Sequence, residues 1–298
     1  MTKCPACRAG WGRGDYPALA EHLTTRAGES DPDHVRWLNQ NVTRQKTEAA
    51  ALAAALRAYF DLTGTSLSGW VKARFIAKFY GRAPHPFVLA LQHPSRATLL
   101  GYVVEHQHFL RQWVRSCAYI MARTDRPEVV LYELDNLTTE YGGFGPDRLA
   151  HYELLLRMGE SLGVDRSVVL ATPPLPATRR AIDEWNEIAT GEHWVAVLVA
   201  MHGLELIAHR NLVEEGASVH YFDPAILRGG EITPAATAFL REGYEADVGH
   251  SDQALALADR FATELDVVEE VQSVFLRSID LFDDYLLARL ERAGDFEA

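Results

Sequence analysis

Six side chains between residues 140 and 250 have the types and spacing to hold a metal ion: Glu140, His151, Glu205, His209, Asp247 and His250. Carboxylates with imidazoles are the ligand chemistry of non-haem iron or manganese, and facing helices are where an all-helical protein assembles such a site. Asp247 and His250 stand three residues apart, which puts them on one helical face; a solvated surface pair is the competing reading. His202, Glu205 and His209 fall at i, i+3 and i+7, a single stripe if the helix is continuous. Their surroundings, VAVLVAMHGLELIAHRNLV, are apolar enough that such a helix must be largely buried. A carboxylate is almost never buried without a partner or a metal, so Glu205 is either salt-bridged there or a ligand. Glu140 and His151 are separated by Gly142, Gly143 and Pro146, so tertiary closure has to bring them together.

The elements that must position these groups read as helices. The periodicity predicts helices over about 32–62, 67–79, 96–122, 127–140, 146–162, 177–189, 193–215, 233–260 and 265–291, with a short one near Phe87. The segment AAALAAALRAYF combines high helix propensity with an apolar stripe. That stripe has to be covered, by the main bundle or by a second copy. The runs Val129-Val130-Leu131 and Val168-Val169-Leu170 are ambiguous between strand and helix. Thr178 is a candidate cap for the helix after the Pro-rich connection. The expected architecture is an all-α bundle over residues 81–298, preceded by a leader and helical extension over 1–80.

With 298 residues, 48% of them hydrophobic, the chain can bury a large core, and a formal charge of −12 argues against a nucleic-acid partner. No run of 18 apolar residues suggests a membrane span and no signal-peptide core precedes the first helix, so a cytoplasmic location is expected. Cys4 and Cys7 form a lone CxxC in a Pro/Gly-rich stretch with no second ligand pair nearby in sequence, which reads as a loosely attached leader. Cys117 reads as a small buried apolar residue.

Joined in order, HPFVLAL at 85–91, EHQHFLRQW, NLTTEYGGFGPDRLAHYELLLRMGESLGV at 136–164, PPLPATRRAIDEW, AMHGLELIAH and ADVGH resemble the haem-oxygenase-like helical superfamily. The similarity is to its non-haem iron oxygenases, relatives of pyrroloquinoline-quinone synthase and of TenA-type thiaminases, over about residues 85–290. It implies Glu140, His151, Glu205, Asp247 and His250 as metal ligands, with His209 as a hypothetical sixth. Position 243, a histidine in two-iron members, is glycine here. The resemblance therefore implies two ferrous ions per chain with one site weak, O2 as co-substrate, and a small amine, amino-acid or carboxylate substrate, in a homodimer. The alternatives are a cofactor-free quinone-synthase-like oxidase, a thiaminase-like hydrolase, and a non-catalytic helical interaction protein. Tyr141, Tyr152, His106 and His108 neighbour the pocket in sequence, and Arg179 and Arg180 are candidates for a substrate carboxylate.

Overall fold

Helix starts are written locally in this chain. The side chains of Asp31, Ser66, Ser95 and Thr233 each accept a hydrogen bond from the backbone N–H three residues on, satisfying donors that a helix leaves open at its first turn. Proline occupies the first turn of five of the long helices, where its missing N–H costs nothing. In the computed structural model, residues 1–7, 9–143 and 148–297 are described, without the side chains of 245–248. Asp247 therefore lies outside the described side chains.

A two-stranded antiparallel hairpin, β1 (Thr2–Lys3) and β2 (Gly10–Trp11), opens the chain. The helices follow as α1 (Tyr16–Gly28), α2 (Pro32–Asn41), α3 (Ala49–Phe60), α4 (Leu67–Phe79), α5 (Pro86–Ala90), α6 (Arg96–Arg123) and α7 (Pro127–Leu137). After them come α8 (His151–Ser161), α9 (Arg166–Ala171), α10 (Pro176–Gly191), α11 (Trp194–His202), α12 (Ile226–Gly229), α13 (Pro234–Glu264) and α14 (Val268–Ala293). The fold is all-α with a small N-terminal hairpin. No helix among the described residues is long and apolar enough to cross a membrane.

Helices α6 and α14 form the spine, and α10, α11 and α8 pack around it. Gly101 makes that spine possible: a Cβ there would sit 2.2 Å from the Arg289 carbonyl oxygen and 2.8 Å from the Ala293 nitrogen. The core is a continuous aromatic and aliphatic cluster that includes Trp185, Phe109, Phe282 and Tyr285. Each large side chain removed from water there contributes roughly 1.5–3 kcal/mol.

Several boundaries differ from the periodicity. The expected helix over 32–62 is two helices, since residues 42–48 are not helical and α2 and α3 are separate elements. The Ala/Leu stripe of α3 is covered within the chain: Leu52, Leu56 and Phe60 are buried, and Phe60 stacks on Trp70 and Tyr16. The supposed leader carries the hairpin and α1, and Cys4 is buried in the core. Both valine runs are helical. Thr178 is no cap; it lies inside α10, whose N-cap is Leu175.

Candidate active cavity and candidate metal centre

The segment 193–215 is not one helix. α11 ends at His202, a tight 3-10 turn covers Gly203–Ile207, and a second one follows at Arg210–Val213. The switch rotates side chains away from the α-helical register, so the i, i+3, i+7 stripe does not exist. Glu205 turns into a cavity, while His209 leaves for the other side and comes within 3.2 Å of Asp252. The proposed sixth ligand is thereby corrected: His209 is not on the cavity wall.

That cavity gathers Glu140, His151, Glu205 and Gly243 with an aromatic wall that includes Phe109, Trp113 and Phe239. Glu140 reaches it because the last turn of α7 widens into a π-type turn over Thr138–Gly142. Single π-turns of this kind are common at functional positions. His151 enters from the first turn of α8, and its Nδ1 is 3.0 Å from Glu140 Oε1. Glu140 Oε2 and Glu205 Oε2 are buried and have no hydrogen-bond partner among the described residues. Two open carboxylate oxygens in an aromatic cavity require a ligand, a proton or a metal. His250 takes another direction, with Nε2 3.8 Å from Asp135, and it does not line the cavity.

Behind Glu205 lies a fully buried charge pair that sequence reading missed. His202 Nε2 is 3.1 Å from both oxygens of Glu133, and its Nδ1 is 2.8 Å from the Tyr132 hydroxyl and 3.4 Å from Glu205. The Tyr132 hydroxyl donates to the His250 carbonyl, so it accepts from the imidazole. Burial pushes His202 down, but Glu133 and then Glu205 outweigh it and hold its pKa at about 10. The imidazolium is thus the form present at neutral pH, a fixed positive charge behind Glu205. Cys117 joins Glu133 and His202 with its ligand atoms mutually within 4.8 Å. Burial first, then the Glu133 charge, raise its thiol well above the ordinary range. That is the opposite of an activated nucleophile.

Of the other neighbours in sequence, only His106 lines the cavity. Tyr141 and Tyr152 stack on each other at 5.0 Å, and His108 bonds the Thr172 carbonyl. Arg180 is half exposed and pairs with Asp284. The cation on the cavity wall is instead Arg289 of α14, which no motif marked.

A second cluster lies in the N-terminal segment. Cys4, Cys7, His22 and His34 bring two sulfurs and two imidazole nitrogens mutually within 4.8 Å. The cysteines sit in the turn between β1 and β2, His22 on α1 and His34 on α2. Cys7 Sγ is 3.3 Å from His22 Nε2, which is 3.0 Å from His34 Nε2. Asp31, the N-cap of α2, holds His34 Nδ1 at 2.7 Å, so Nε2 faces the cluster. A carboxylate behind a ligating imidazole is the usual outer support of a zinc site. The hydrogen bond from Cys4 is the main cause holding Cys7 down to about 4, and it raises Cys4 in turn. Two thiols and two imidazoles at this separation fit tetrahedral zinc. The sequence signal was the spacing Cys-x2-Cys-x14-His-x11-His, whose last interval is too long for the common finger pattern.

Comparison with known proteins places both regions. The TENA/THI-4/PQQC family profile matches residues 70–293, and a C2H2 type zinc-finger profile matches residues 1–61. Among solved structures, the chain is similar to a domain of unknown function with a haem-oxygenase-like fold from Shewanella denitrificans, with 20% identity and TM-score 0.55, over 76% of this chain and 92% of that one. It is also similar to a TenA homologue from Pseudomonas syringae pv. tomato, with 12% identity and TM-score 0.54, over 84% of this chain and 98% of that one. A TenA family transcription regulator from Silicibacter sp. aligns at 14% identity and TM-score 0.50, over 76% and 93% of the two chains. These likenesses establish the fold. No curated protein matches the chain in sequence.

Proposed function

The chain belongs to the TENA/THI-4/PQQC family, and from that premise we propose that its central cavity is the active site of an enzyme that works on a small organic molecule by general acid–base catalysis. It corresponds to the metal-free alternatives, a cofactor-free quinone-synthase-like oxidase or a thiaminase-like hydrolase. The Glu140–His151 hydrogen bond carries this reading. A carboxylate on one imidazole nitrogen fixes the ring and its tautomer, which suits the imidazole to proton transfer. Glu205, backed by the His202 imidazolium, supplies a second carboxylate with one open oxygen. The aromatic wall excludes bulk water and strengthens these charges. Cys117 stands outside this cavity, so a hydrolytic step would use water activated by His151 or Glu205 rather than the thiol.

The open oxygens of Glu140 and Glu205 favour a second reading, in which the cavity holds iron. With His151 they make a donor set for one ion among the described side chains; Gly243 contributes none. Iron held there would supply O2-dependent oxidising chemistry.

Zinc-replete, iron-free protein assayed for ammonia release and O2 uptake on a panel of aminopyrimidines and aromatic amines tests these readings. Acid–base catalysis predicts turnover without iron that falls about 10²–10⁴-fold in Glu140→Gln and His151→Gln. Turnover that appears only after Fe(II) loading, with O2 uptake, and that grows in Gly243→His, would replace the first reading by the second. In the N-terminal unit, we infer a structural zinc site on Cys4, Cys7, His22 and His34.

A further inference from the structure

Arg289 is a buried cation with no anionic partner among the described residues. It is 2% exposed, and no carboxylate among the described residues lies within ion-pair distance. Its Nη1 donates to the Tyr221 hydroxyl at 3.0 Å, and its Nη2 to the Tyr285 hydroxyl at 2.8 Å and His106 Nδ1 at 2.9 Å. The guanidinium carbon lies 4.1 Å from the Tyr102 ring centroid, 4.5 Å from Tyr285 and 5.1 Å from Phe87. Hydroxyls and ring faces orient the group but do not neutralise it, and Nε has no partner among the described residues. Its neighbour Arg292, one turn on, contrasts directly: it pairs with Glu105 at 2.7 Å.

His106 adds a second donor. A guanidinium can only donate, so Nδ1 of His106 is its acceptor and the ring proton resides on Nε2. Burial, with Arg289 beside it, keeps the ring neutral. His106 and Arg289 line the same cavity as Glu140, His151 and Glu205. The two poles are one aromatic ring apart: the Phe239 centroid is 6.1 Å from His106 and 6.0 Å from His151.

We propose that Arg289 and His106 form the subsite for the carboxylate of the substrate, making this an enzyme of small organic acids. It rests on the cavity being the active site. The acid lies with its carboxylate on the cationic pole, its apolar body along Phe109 and Phe239, and its reacting end at Glu140 and His151. Charge decides the orientation, because a carboxylate at the other pole meets two acids.

The experiment compares acids with their amides, which share shape and differ in charge. Dissociation constants of benzoate, phenylacetate, 3-phenylpropionate and hexanoate, and of the four amides, are measured on the full-length protein by tryptophan fluorescence and calorimetry. At least one acid is expected to bind about 10-fold or more tightly than its amide, as a charge-assisted hydrogen bond warrants. Arg289→Gln brings that ratio to about one, and Arg289→Lys keeps part of it. Because Arg289 is buried, His106→Phe serves as a milder variant that lowers the ratio while leaving the cation. Glu140→Gln and His151→Gln lose turnover but keep the ratio, which separates this subsite from the catalytic reading. Equal affinity for acids and amides in the wild type, no binding of any acid at about 1 mM, or a ratio that survives in Arg289→Gln overturns the proposal.

Discussion

The N-terminal cluster and the central cavity both pair imidazoles with anionic donors, yet they are assembled on different scales. The cluster takes its four donors from a hairpin turn and the two helices that follow it, all within residues 4–34. The cavity draws on α6, the π-turn after α7, α8, the 3-10 turn after α11, α13 and α14. Within the cluster every donor faces another donor, and the second nitrogen of His34 is held by Asp31. Within the cavity, carboxylate oxygens are left open toward the space between the helices. A closed donor set suits a structural metal; an open one suits turnover. The two regions are tied by charge. Lys3, Arg13 and Arg36 from the N-terminal segment pair with Glu192 and Glu270, with Asp266, and with Asp283 and Asp284 respectively.

Removing a cluster ligand has the largest expected effect. Cys7→Ser should take the protein from about one zinc per chain to none. Limited proteolysis should then cut within residues 1–61 while the helical remainder stays resistant. Retention of zinc in that variant, measured by elemental analysis, would contradict the assignment.

The next largest effect belongs to the cavity's support. His202→Ala strands Glu133, buried and unpaired, at a cost of about 3–5 kcal/mol. A urea midpoint unchanged from wild type would show that the pair is not ionised. Glu133→Gln combined with His202→Gln should recover much of the loss, since neither charge is then left alone.

Opposite pH responses sharpen the comparison. The folded pKa of His202, about 10, lies above the unfolded value near 6.5. Its stabilising contribution is therefore fully present below about pH 6.5 and is lost as pH rises through about 10. The cluster responds the other way, because metal-binding thiols and imidazoles must be deprotonated and zinc leaves as pH falls. Thermal melts across pH 6–10 and zinc release across pH 4–7 read the two separately. A melting temperature flat up to pH 10 would refute the first trend.

The smallest predicted effect is that of Asp31→Asn, which removes the anionic support of His34 and weakens zinc about 10–100-fold without abolishing it. A competition titration with a chromogenic chelator measures the change, and no change would place Asp31 in helix capping alone.

Long helices were legible in the sequence through their periodicity. Periodicity placed α4 at 67–79 and the starts of α6 and α13 at 96 and 233, and the structure adds the caps Ser66, Ser95 and Thr233. Glu140, His151 and Glu205 were legible through the order of family-like blocks, and these three line one cavity. His209 was misread because periodicity assumes an unbroken α-helix, and nothing in HGLELIAH announces a 3-10 turn. His22 and His34 were missed because pattern spacing cannot count across the bend between α1 and α2.

By itself, then, the sequence determined the helical class, most helix starts and the kinds of donor available, since capping and amphipathic periodicity act over a few residues. The tertiary structure alone decided which donors meet. Arg289 resembles any helical arginine until Gly101 lets α14 close on α6 and leaves the guanidinium among rings instead of water. Glu133 looks like a surface acid until α7 lays it against His202. Burial and pairing are sums over elements distant in the chain, and the free energy of a charge depends on that sum rather than on its neighbours in sequence.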